Sequence, residues 1–431
     1  MISAFSRTPN IGTFLMDCFS APDLLTVAQA QLLLVDAMSP VTDIEHISIT
    51  DADKRIIAQD VVSPINVPQH DNSAMDGYAL CDAGLHSSAT SELLTEFTLV
   101  GESFAGRPYV GELIHGQCIR IMTGAVIPVG TDAVIMQEQT VVNEQAISIT
   151  KPVKLDANIR RAGEDISQQQ VVFTAGHRLN AIDIGLLASL GCAQVNVWRK
   201  LKVAILATGD ELTYPGEPLA PGHIYETNSV VLQQMLSRFG ADVLSLGIIA
   251  DDKEAITAAF IQADGYADVV ISSGGVSVGE ADYTKTVLDE MGRTAFWKVA
   301  MKPGKPFAFG ELPNSCFMGL PGNPVSAVVT FQQLVLPALF RLAGTTMPTP
   351  KTLTAITQTA IRKRAGRTDF QRGVWSVDET GQVIVTPLSA QGSGMLSSLS
   401  TANCFVVLAQ DNAGHAPGDT VTITLFDEFL A

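Results

Sequence analysis

The stretch 200–343 constrains the fold most strongly, because short apolar runs alternate there with amphipathic segments. The apolar runs LKVAILATG, ADVLSLGII and DVVISSGG are typical of buried strands. Between the first two lies a predicted helix that Asn228 caps and Gly240 stops. Its apolar residues share one helical face: Leu232, Met235, Leu236 and Phe239. DDKEAITAAFIQA predicts a second helix, and another follows Pro324. Strands that alternate with helices predict a right-handed parallel α/β layer.

The sequence on either side of this stretch has the period of two that is typical of strands. Between 47 and 149, short alternating runs are separated by Gly, Pro and Asp, which predicts a mostly β region. From about 351, five short alternating runs predict a small barrel or a sandwich. Two further helices are predicted, one over 26–38, where Thr26 and Gln29 have capping-box spacing, and one that Asn180 caps. The chain is therefore expected to be multidomain, α/β plus β.

Length and charge narrow the classes of protein that the chain can belong to. At 431 residues it is too long for one ordinary core. A net charge of −17 opposes general adhesion to nucleic acid or to an anionic membrane, so an anionic ligand requires a local basic site.

The sequence has no uninterrupted apolar run of about 18 residues, so no membrane span is predicted. The opening residues lack the apolar stretch of a secretory signal, and six cysteines without a C-x-x-C pair argue against a disulfide framework. These features predict a cytoplasmic protein.

The densest group of glycines and hydroxyl residues follows the third strand of the α/β stretch. Ligands of such sheets bind beyond the carboxyl ends of the strands. Glycines there let backbone N–H groups converge on an anion, and serine hydroxyls add donors. The group predicts a phosphate cradle, and its members are Ser272, Ser273, Gly274, Gly275 and Ser277. A tight turn from strand to helix is the alternative.

Three carboxylates also follow the ends of predicted strands: Glu211, Asp251 and Asp282. Near one ligand, they would have the chemistry that holds Mg²⁺ beside substrate phosphates. For Asp251 or its neighbour Asp252, a role as the N-cap of the following helix is an equal alternative.

Residues 291–310 form a locally basic segment in a chain whose net charge is negative. They carry four cations without an intervening acid: Arg293, Lys298, Lys302 and Lys305. Pro303 and Gly304 exclude a single helix face, so the segment is interpreted as a loop that brings ammonium groups to an oxyanion, or as a solvated loop. The turn from Pro321 to Pro324 precedes a predicted helix, whose N-terminus would attract anions. The alternative is that this turn has only a structural role.

Further candidates lie outside the α/β stretch. The loop 68–79 crowds short polar residues with Met75 and Tyr78, a composition suited to a polar heterocycle but also to ordinary turns. Four charged residues form either an ion pair or a ligand clamp: Arg160, Arg161, Glu164 and Asp165. A last basic cluster is more typical of a solvated or interface face: Arg362, Lys363, Arg364, Arg367 and Arg372.

Eight segments, in this order, make the chain resemble the molybdopterin molybdenumtransferases: DNSAMDGYA, RIMTGA, NIRRAGEDIS, TGDEL, SSGGVSVGEADYTK, KPGKPFAFG, GLPGNPVSA and DFQRGV. The resemblance covers roughly residues 23–431, and 1–22 extend beyond the usual family start. It implies an elongated homodimer of four-domain subunits. The domains would be a mixed discontinuous domain (23–61 and 160–195), a β-rich domain (62–159), a central three-layer α/β domain with a parallel sheet (196–345) and a C-terminal β-barrel (350–431).

The resemblance also implies an activity and its residues. Such an enzyme inserts molybdenum from molybdate into adenylylated molybdopterin and releases AMP, with Mg²⁺ present. Its cleft lies between the α/β domain of one subunit and the β-rich domain of the other. The implied catalytic residues are Asp76 and Thr123 from the β-rich side, with Glu211, Asp251, Asp282, Lys298 and Lys302. Glu211, Asp251 and Asp282 would hold the metal. The implied substrate-binding residues are Ser273, Gly274, Gly275, Ser277, Lys305, Pro321 and Pro324, with Arg160, Asp165, Arg372 and Ser393.

The resemblance implies partners and leaves alternatives open. A molybdopterin adenylyltransferase would supply the substrate, and molybdoenzymes or their chaperones would receive the product. The same α/β module resembles that of the adenylyltransferases themselves, and no residue distinguishes a tungstate-inserting paralogue. A scaffold role is the alternative of another class, because animal relatives of this architecture clamp receptor segments between their last two domains.

Overall fold

The computed structural model describes residues 24–82, 95–275 and 283–431. The described chain divides into two compact units. The β-rich unit comprises Ile47–Asp53 and Gln59–Val195. The α/β unit comprises Lys54–Ala58, Asn196–Ala431 and the described residues before Ile47. The predicted extension 1–22 and the residues Ser277 and Asp282 lie outside the described residues.

The elements up to residue 200 are, in chain order, α1 (Val27–Ala37), β1 (Ile44–Ser48), β2 (Val61–Val62), β3 (Asn72–Ser73), β4 (Gly77–Leu80), β5 (Glu96–Ser103), β6 (Gln117–Ile121), β7 (Ala133–Met136), β8 (Thr140–Asn143), β9 (Ala146–Ile149), β10 (Ile159–Arg160), β11 (Val171–Phe173), α2 (Ala181–Ser189) and β12 (Gln194–Trp198). Single 3₁₀ turns occur at Ile49–Asp51 and Gln137–Gln139.

The later elements are β13 (Lys202–Thr208), β14 (Leu212–Thr213), β15 (Ile224–Tyr225), α3 (Asn228–Phe239), β16 (Asp242–Ile249), α4 (Lys253–Tyr266), β17 (Val269–Ser273), α5 (Tyr283–Met291), β18 (Arg293–Lys298), β19 (Met301–Lys302), β20 (Pro306–Glu311), β21 (Cys316–Leu320), α6 (Pro324–Thr330), α7 (Leu336–Leu342), β22 (Thr352–Thr357), β23 (Ile361–Arg362), β24 (Thr368–Val377), β25 (Val383–Pro387), α8 (Ser397–Thr401), β26 (Cys404–Leu408), β27 (Gly414–His415) and β28 (Thr420–Leu425). A π-helical turn, Phe331–Val335, joins α6 to α7.

The helix ends follow the capping signals of the sequence. The Thr26 hydroxyl accepts a hydrogen bond from the Gln29 N–H (3.2 Å), and the Gln29 side chain accepts one from the Thr26 N–H (3.0 Å), which confirms the capping box. Asn180 caps α2 in the same reciprocal way. Gly240 stops α3 with φ of 98°, a left-handed conformation that glycine adopts without steric cost. The prediction for Asn228 is wrong by one position, since Thr227 is the N-cap and Asn228 the first helical residue.

The central sheet has six strands in the order β16-β13-β17-β21-β20-β18. The first four are parallel, as predicted, while β20 and β18 run antiparallel to their neighbours. The reversal has a local cause: β20 and β21 are joined by four residues closed by a bond from the Leu312 N–H to the Ser315 carbonyl (2.9 Å). A connection this short joins only antiparallel strands. The periodicity of the sequence did not distinguish β18 and β20 from the four parallel strands.

Both faces of the central sheet are covered, which gives the three-layer arrangement. Alternate residues of β13, such as Val203 and Ile205, enter the core that contains α1, α3, α6 and α7. Ala204 and Leu206 enter the core that contains α4 and α5. The predicted apolar face of α3 lies in the first core: Leu232, Met235, Leu236 and Phe239.

One helical stretch of the described residues, Pro324–Leu342, is long and apolar enough to cross a membrane. In the structure 83% of it is buried within the protein. A helix that is apolar on every side is expected in the core of a large domain, and most residues of this stretch belong to the apolar core that also contains α1 and α3.

The five alternating runs of the last part of the chain form a closed barrel. The strand order is β24-β25-β22-β28-β26, and the pairing of β26 with β24 closes the ring. This confirms the barrel over the alternative sandwich. The short strand β19 adds to the barrel by parallel pairing, with Lys302 opposite Asp369.

The β-rich unit is built on a six-stranded sheet in the order β7-β4-β6-β5-β9-β8. Successive residues of β4 serve opposite faces, as a strand requires: Tyr78 and Leu80 pack into one apolar cluster and Ala79 into another. The mostly β region is therefore confirmed.

Candidate functional site

A cavity of about 910 Å³ opens at the carboxyl ends of β13 and β17 in the α/β unit. This is the edge of an α/β sheet at which ligands bind. Residues from five segments line it: Thr208–Leu212 without Asp210, Ile224–Asn228, Asp251, Ser273–Gly275 and Pro321–Pro324. Pro306, Gly394 and Leu396 complete the lining. We call it the strand-end cavity.

The described part of the Ser-Gly segment forms one wall of this cavity. Gly274 and Gly275 have φ of 94° and 67°, so both positions require glycine. A Cβ on Gly274 would lie 2.6 Å from the Thr208 carbonyl oxygen, so β13 and the segment touch through backbone. The Gly274 N–H donates to the Leu320 carbonyl (3.1 Å), and this bond holds the segment against β21. The wall is therefore set by close backbone packing.

Asn228 is a site residue that the sequence analysis used only as a helix signal. It is buried, and its amide donates to the Ser273 hydroxyl (2.6 Å) and the Gly322 carbonyl (2.7 Å). Beside it, the carboxylate of Glu226, only 6% exposed, accepts a hydrogen bond from the Ser229 N–H (2.8 Å). The available signal was an asparagine at the start of a helix whose later buried residues are apolar.

The carboxylates at the strand ends divide between two roles. Asp252 caps α4, since its side chain accepts from the Ala255 N–H (2.9 Å), whereas Asp251 lines the cavity with Glu211. Partial burial raises the pKa of Asp251, and the nearby charges of Asp210, Glu211 and Asp252 raise it further. The described ranges contain no group of three or more His, Cys, Asp or Glu placed to hold a metal ion. Asp282, the third predicted ligand, falls in the stretch between Gly275 and Tyr283 that is not described.

The three lysines of the basic segment do not line the strand-end cavity. Lys298 ends β18, Lys302 lies in β19, and Lys305 lies between β19 and β20. All three are exposed. Lys302 pairs with Asp369 of the barrel, with 3.3 Å between Nζ and Oδ2. The structure thus places Lys302 against the barrel. Of the described residues 291–310, Pro306 lines the strand-end cavity.

The turn from Pro321 to Pro324 lines the cavity and is tied to the barrel. The Val325 N–H, in the first turn of α6, donates to the Ser393 carbonyl (3.0 Å). This bond places the loop containing Ser393 beside the cavity, which Gly394 and Leu396 of that loop help to line.

Arg372 holds the same loop through hydrogen bonds from its guanidinium group. Its side chain is only 1% exposed and donates to the Ser398 hydroxyl (3.0 Å) and to the carbonyls of Ala390 and Gly392 (3.2 Å each). Burial lowers the pKa of its guanidinium, with Asp369 opposing the shift. Arg372 therefore positions the loop that carries Ser393, and it is not part of the cavity lining.

In the β-rich unit, Asp76 and Thr123 contact each other directly. The Asp76 carboxylate accepts from both the N–H and the hydroxyl of Thr123, each over 2.8 Å. These two bonds hold the pKa of Asp76 below its usual range. The sequence separates these residues by 47 positions and gave no sign of the bond.

The charged group at 160–165 is arranged differently from the sequence expectation. Arg161 forms ion pairs with Asp71 and Asp156 and not with the acidic side chains that follow it, although its N–H donates to the Glu164 carboxylate (3.0 Å). Arg160 lies in β10, opposite Asn72 of β3. The Asp165 N–H donates to the Val67 carbonyl (3.0 Å). The segment 160–165 thus lies along the 68–79 loop, because these backbone pairings join them.

Comparisons with known proteins cover nearly the whole chain. Three family models match it: the MoeA N-terminal region (domain I and II) over residues 25–191, the probable molybdopterin binding domain over 204–341, and the MoeA C-terminal region (domain IV) over 354–426. The molybdopterin molybdenumtransferase of Haemophilus influenzae is 46% identical over 94% of this chain and 100% of its own length. That of Bacillus subtilis is 33% identical over 89% of this chain and 90% of its own length.

A solved structure has the same fold. The molybdopterin biosynthesis moeA protein from Pyrococcus horikoshii OT3 superposes with a TM-score of 0.80 at 31% identity, over 94% of this chain and 100% of that one.

Proposed function

The chain belongs to the molybdopterin molybdenumtransferase family of molybdenum cofactor biosynthesis, and from this premise we propose that it inserts molybdenum from molybdate into adenylylated molybdopterin and releases AMP. The observation that carries the proposal is the strand-end cavity, which brings the TGDEL, SSGG and GLPGNP segments together at one sheet edge. The scaffold alternative gains no support from a cavity of this composition.

Mg²⁺ fits this cavity on the chemistry of its donors. The described lining contains the carboxylates of Glu211, Glu226 and Asp251 and no Lys or Arg. Partial burial raises the pKa of Asp251, and the charges of Asp210, Glu211 and Asp252 raise it further. A divalent cation there would relieve the repulsion among these acids, and carboxylate oxygens are ligands that Mg²⁺ prefers. Glu211 and Asp251 would hold the ion, with Asp282 as the proposed third ligand. When bound, the ion neutralises phosphate oxygens of the substrate.

The cavity walls would hold the substrate through its phosphates and its adjoining groups. We assign that role to Ser273, Gly274 and Gly275, with Ser277, and to Pro321 and Pro324 of the neighbouring turn. Arg372 would act through the loop it holds, by setting the position of Ser393. Lys298, Lys302 and Lys305 are proposed to attract the oxyanion, because their charges are exposed on an otherwise acidic chain.

The β-rich unit is proposed to complete the site across a homodimer. Asp76 and Thr123 would serve the active site of the partner subunit, and Arg160 and Asp165 lie along the same loop. The Asp76 carboxylate supports this proposal, because the two hydrogen bonds from Thr123 lower its pKa and so stabilise its charged form at a solvent-accessible position.

The proposed setting is the cytoplasm. Five cysteines in the described ranges carry free thiols, which suits a reducing compartment: Cys81, Cys118, Cys192, Cys316 and Cys404. A molybdopterin adenylyltransferase is the proposed upstream partner, and molybdoenzymes or their chaperones are the proposed recipients.

The deciding experiment incubates the purified protein with adenylylated molybdopterin, Mg²⁺ and molybdate. AMP release together with reconstitution of a cofactor-free molybdoenzyme supports the proposal, and absence of both overturns it. A parallel reaction with ATP and unadenylated molybdopterin tests the adenylyltransferase alternative. Competition between tungstate and molybdate tests the tungsten alternative.

A further inference from the structure

A second cavity, of about 280 Å³, lies beside the barrel and is lined by Lys302, Arg362, Lys363, Arg364, Arg367 and Asp369. We propose that this basic cavity binds a small, multiply charged oxyanion of the phosphate class, at a site separate from the strand-end cavity. The two cavities share no lining residue. The proposal goes beyond the molybdenum insertion reaction, since it rests on Arg362, Lys363, Arg364 and Arg367, to which that reaction assigns no role; of the lining residues, Lys302 alone is also proposed to serve that reaction.

The fold gathers these residues from two distant stretches of the chain. β19 pairs in parallel with β24 and sets Lys302 opposite Asp369. β23 pairs with β27 and holds Arg362 at the other side of the cavity. Between them, Gly366 has φ of 112°, and its N–H donates to the Gln410 carbonyl (2.7 Å). This turn folds the segment 363–367 back, so that its cations line one concave surface.

The charges in the cavity are far from balanced. Five cations face one acid, in a chain whose net charge is −17. Asp369 is only 3% exposed, and its carboxylate accepts from Lys302 (3.3 Å) and from the Gln371 amide (3.1 Å). The arginines form no ion pair with any residue of 24–82, 95–275 or 283–431: Arg362, Arg364 and Arg367.

Lys363 is held in place by the backbone. Its Nζ donates to the carbonyls of Asn412 (2.8 Å) and Gln410 (3.2 Å). Burial lowers the pKa of this amine, Asp369 and Asp411 oppose the shift, and the charge of Lys302 lowers the pKa further. Cations that repel one another at close range are stabilised by an anion placed among them.

The chemistry of the donors selects the kind of ligand. Guanidinium groups present planar pairs of N–H donors that match two oxygens of a phosphate-like ion. The cavity, of about 280 Å³, has room for one or two such groups. A nucleic acid backbone would require an extended basic surface, and the net charge of −17 opposes its binding. The occupant is therefore a free inorganic oxyanion or the phosphate group of a small metabolite.

Two measurements on the full chain test the proposal. The first is isothermal titration calorimetry at low ionic strength with inorganic phosphate and, separately, with AMP. The second is a crystal soaked in sodium molybdate, whose anomalous signal locates the ion. The test variant is R362Q/R364Q/R367Q, and the matched control is R107Q/K151Q/K154Q, which removes the same charge from exposed positions of the β-rich unit. Thermal unfolding checks that both variants remain folded.

We expect anomalous density among the arginines in the wild type and in the control, and none there in the test variant. Phosphate affinity should fall at least about tenfold in the test variant, because three charge-assisted donors are lost, and change less than about twofold in the control. R362K/R364K/R367K should retain part of the affinity, since it keeps the charge and loses the paired donors. Tighter binding of phosphate than of AMP indicates a free ion, and the reverse indicates a nucleotide.

Two results would overturn the proposal: unchanged phosphate affinity in the test variant, or density only in the strand-end cavity. Failure of AMP release from adenylylated molybdopterin would leave the soaked density and the calorimetry unaffected. The two proposals can therefore fail independently.

Discussion

The side-chain amide of Asn228 lies 2.6 Å from the Ser273 hydroxyl, to which it donates a hydrogen bond. The same amide donates to the Gly322 carbonyl over 2.7 Å. One buried side chain thus joins the start of α3, the end of β17 and the turn before α6, three walls of the strand-end cavity. This contact adds a polar link to the apolar core in which α3 packs with β17 and α6.

Replacement of Asn228 by alanine should lower both stability and activity. The change leaves a buried serine hydroxyl and a carbonyl without a donor, which costs about 1–3 kcal/mol in the free energy of unfolding. Urea denaturation measures the stability, and AMP release measures the activity. Asn143→Ala, an exposed position in β8, is the control and should change neither quantity. An active Asn228→Ala with wild-type stability would contradict the positioning role.

Gly274→Ala should be more harmful than an alanine at a glycine of similar conformation. Gly274 has φ of 94° and its Cβ would lie 2.6 Å from the Thr208 carbonyl oxygen, whereas Gly216 has φ of 97° and open space around it. Strained backbone costs about 1–3 kcal/mol at each position, and only Gly274→Ala adds the clash. The midpoints of denaturation of the two variants give the comparison. Equal midpoints would show that the segment moves freely away from β13.

Asp251→Ala and Asp252→Ala should separate metal binding from helix capping. Asp251 lines the cavity, so its loss should weaken Mg²⁺ binding and abolish AMP release. Asp252 caps α4, so its loss should cost about 1 kcal/mol in the free energy of unfolding and change the Mg²⁺ dependence far less than the loss of Asp251 does. A titration of AMP release against Mg²⁺ concentration measures the difference. The same Mg²⁺ dependence in Asp251→Ala as in the wild type would overturn the proposed metal site.

The bond between Asp76 and Thr123 should be visible as a pH effect. The pKa of Asp76 is lowered in the folded protein, so its contribution to stability is present above the unfolded pKa and is lost as the pH falls through the folded pKa. Thr123→Ala should raise the pKa towards the ordinary value, and Thr123→Ser, which retains a hydroxyl, should raise it less. Carboxyl carbon NMR titration measures the three values. The backbone N–H bond of residue 123 remains in Thr123→Ala, so an unchanged pKa in this variant would mean that the hydroxyl bond does not persist in solution.

A site shared between subunits should be recoverable from two inactive variants. Asp76→Asn and Asp251→Ala each impair a different contribution to the proposed site. If these contributions come from different subunits, mixed dimers contain one intact site, and co-expression should restore about a quarter of wild-type AMP release. If both contributions come from one subunit, no activity returns. Each variant expressed alone provides the baseline.

The sequence by itself determined the local helices and strands, and it determined which regions of the chain are α/β and which are mostly β. The capping box of Thr26 and Gln29, the stop at Gly240 and the apolar face of α3 depend on neighbours within a few residues, which is why periodicity and capping chemistry predicted them. The strand-end location of the Ser-Gly segment and of Asp251 also followed, since parallel strands place their carboxyl ends at one edge.

Only the tertiary structure decided which side chains meet. Asn228 reaches Ser273, Lys302 meets Asp369, and Thr123 bonds to Asp76 across 45, 67 and 47 positions of sequence. These contacts depend on strand order, register and loop paths, and a local pattern carries no information about them. For the same reason the cluster at 362–367, which in sequence is typical of a solvated face, became a cavity wall once β19 paired with β24 and brought Lys302 beside it.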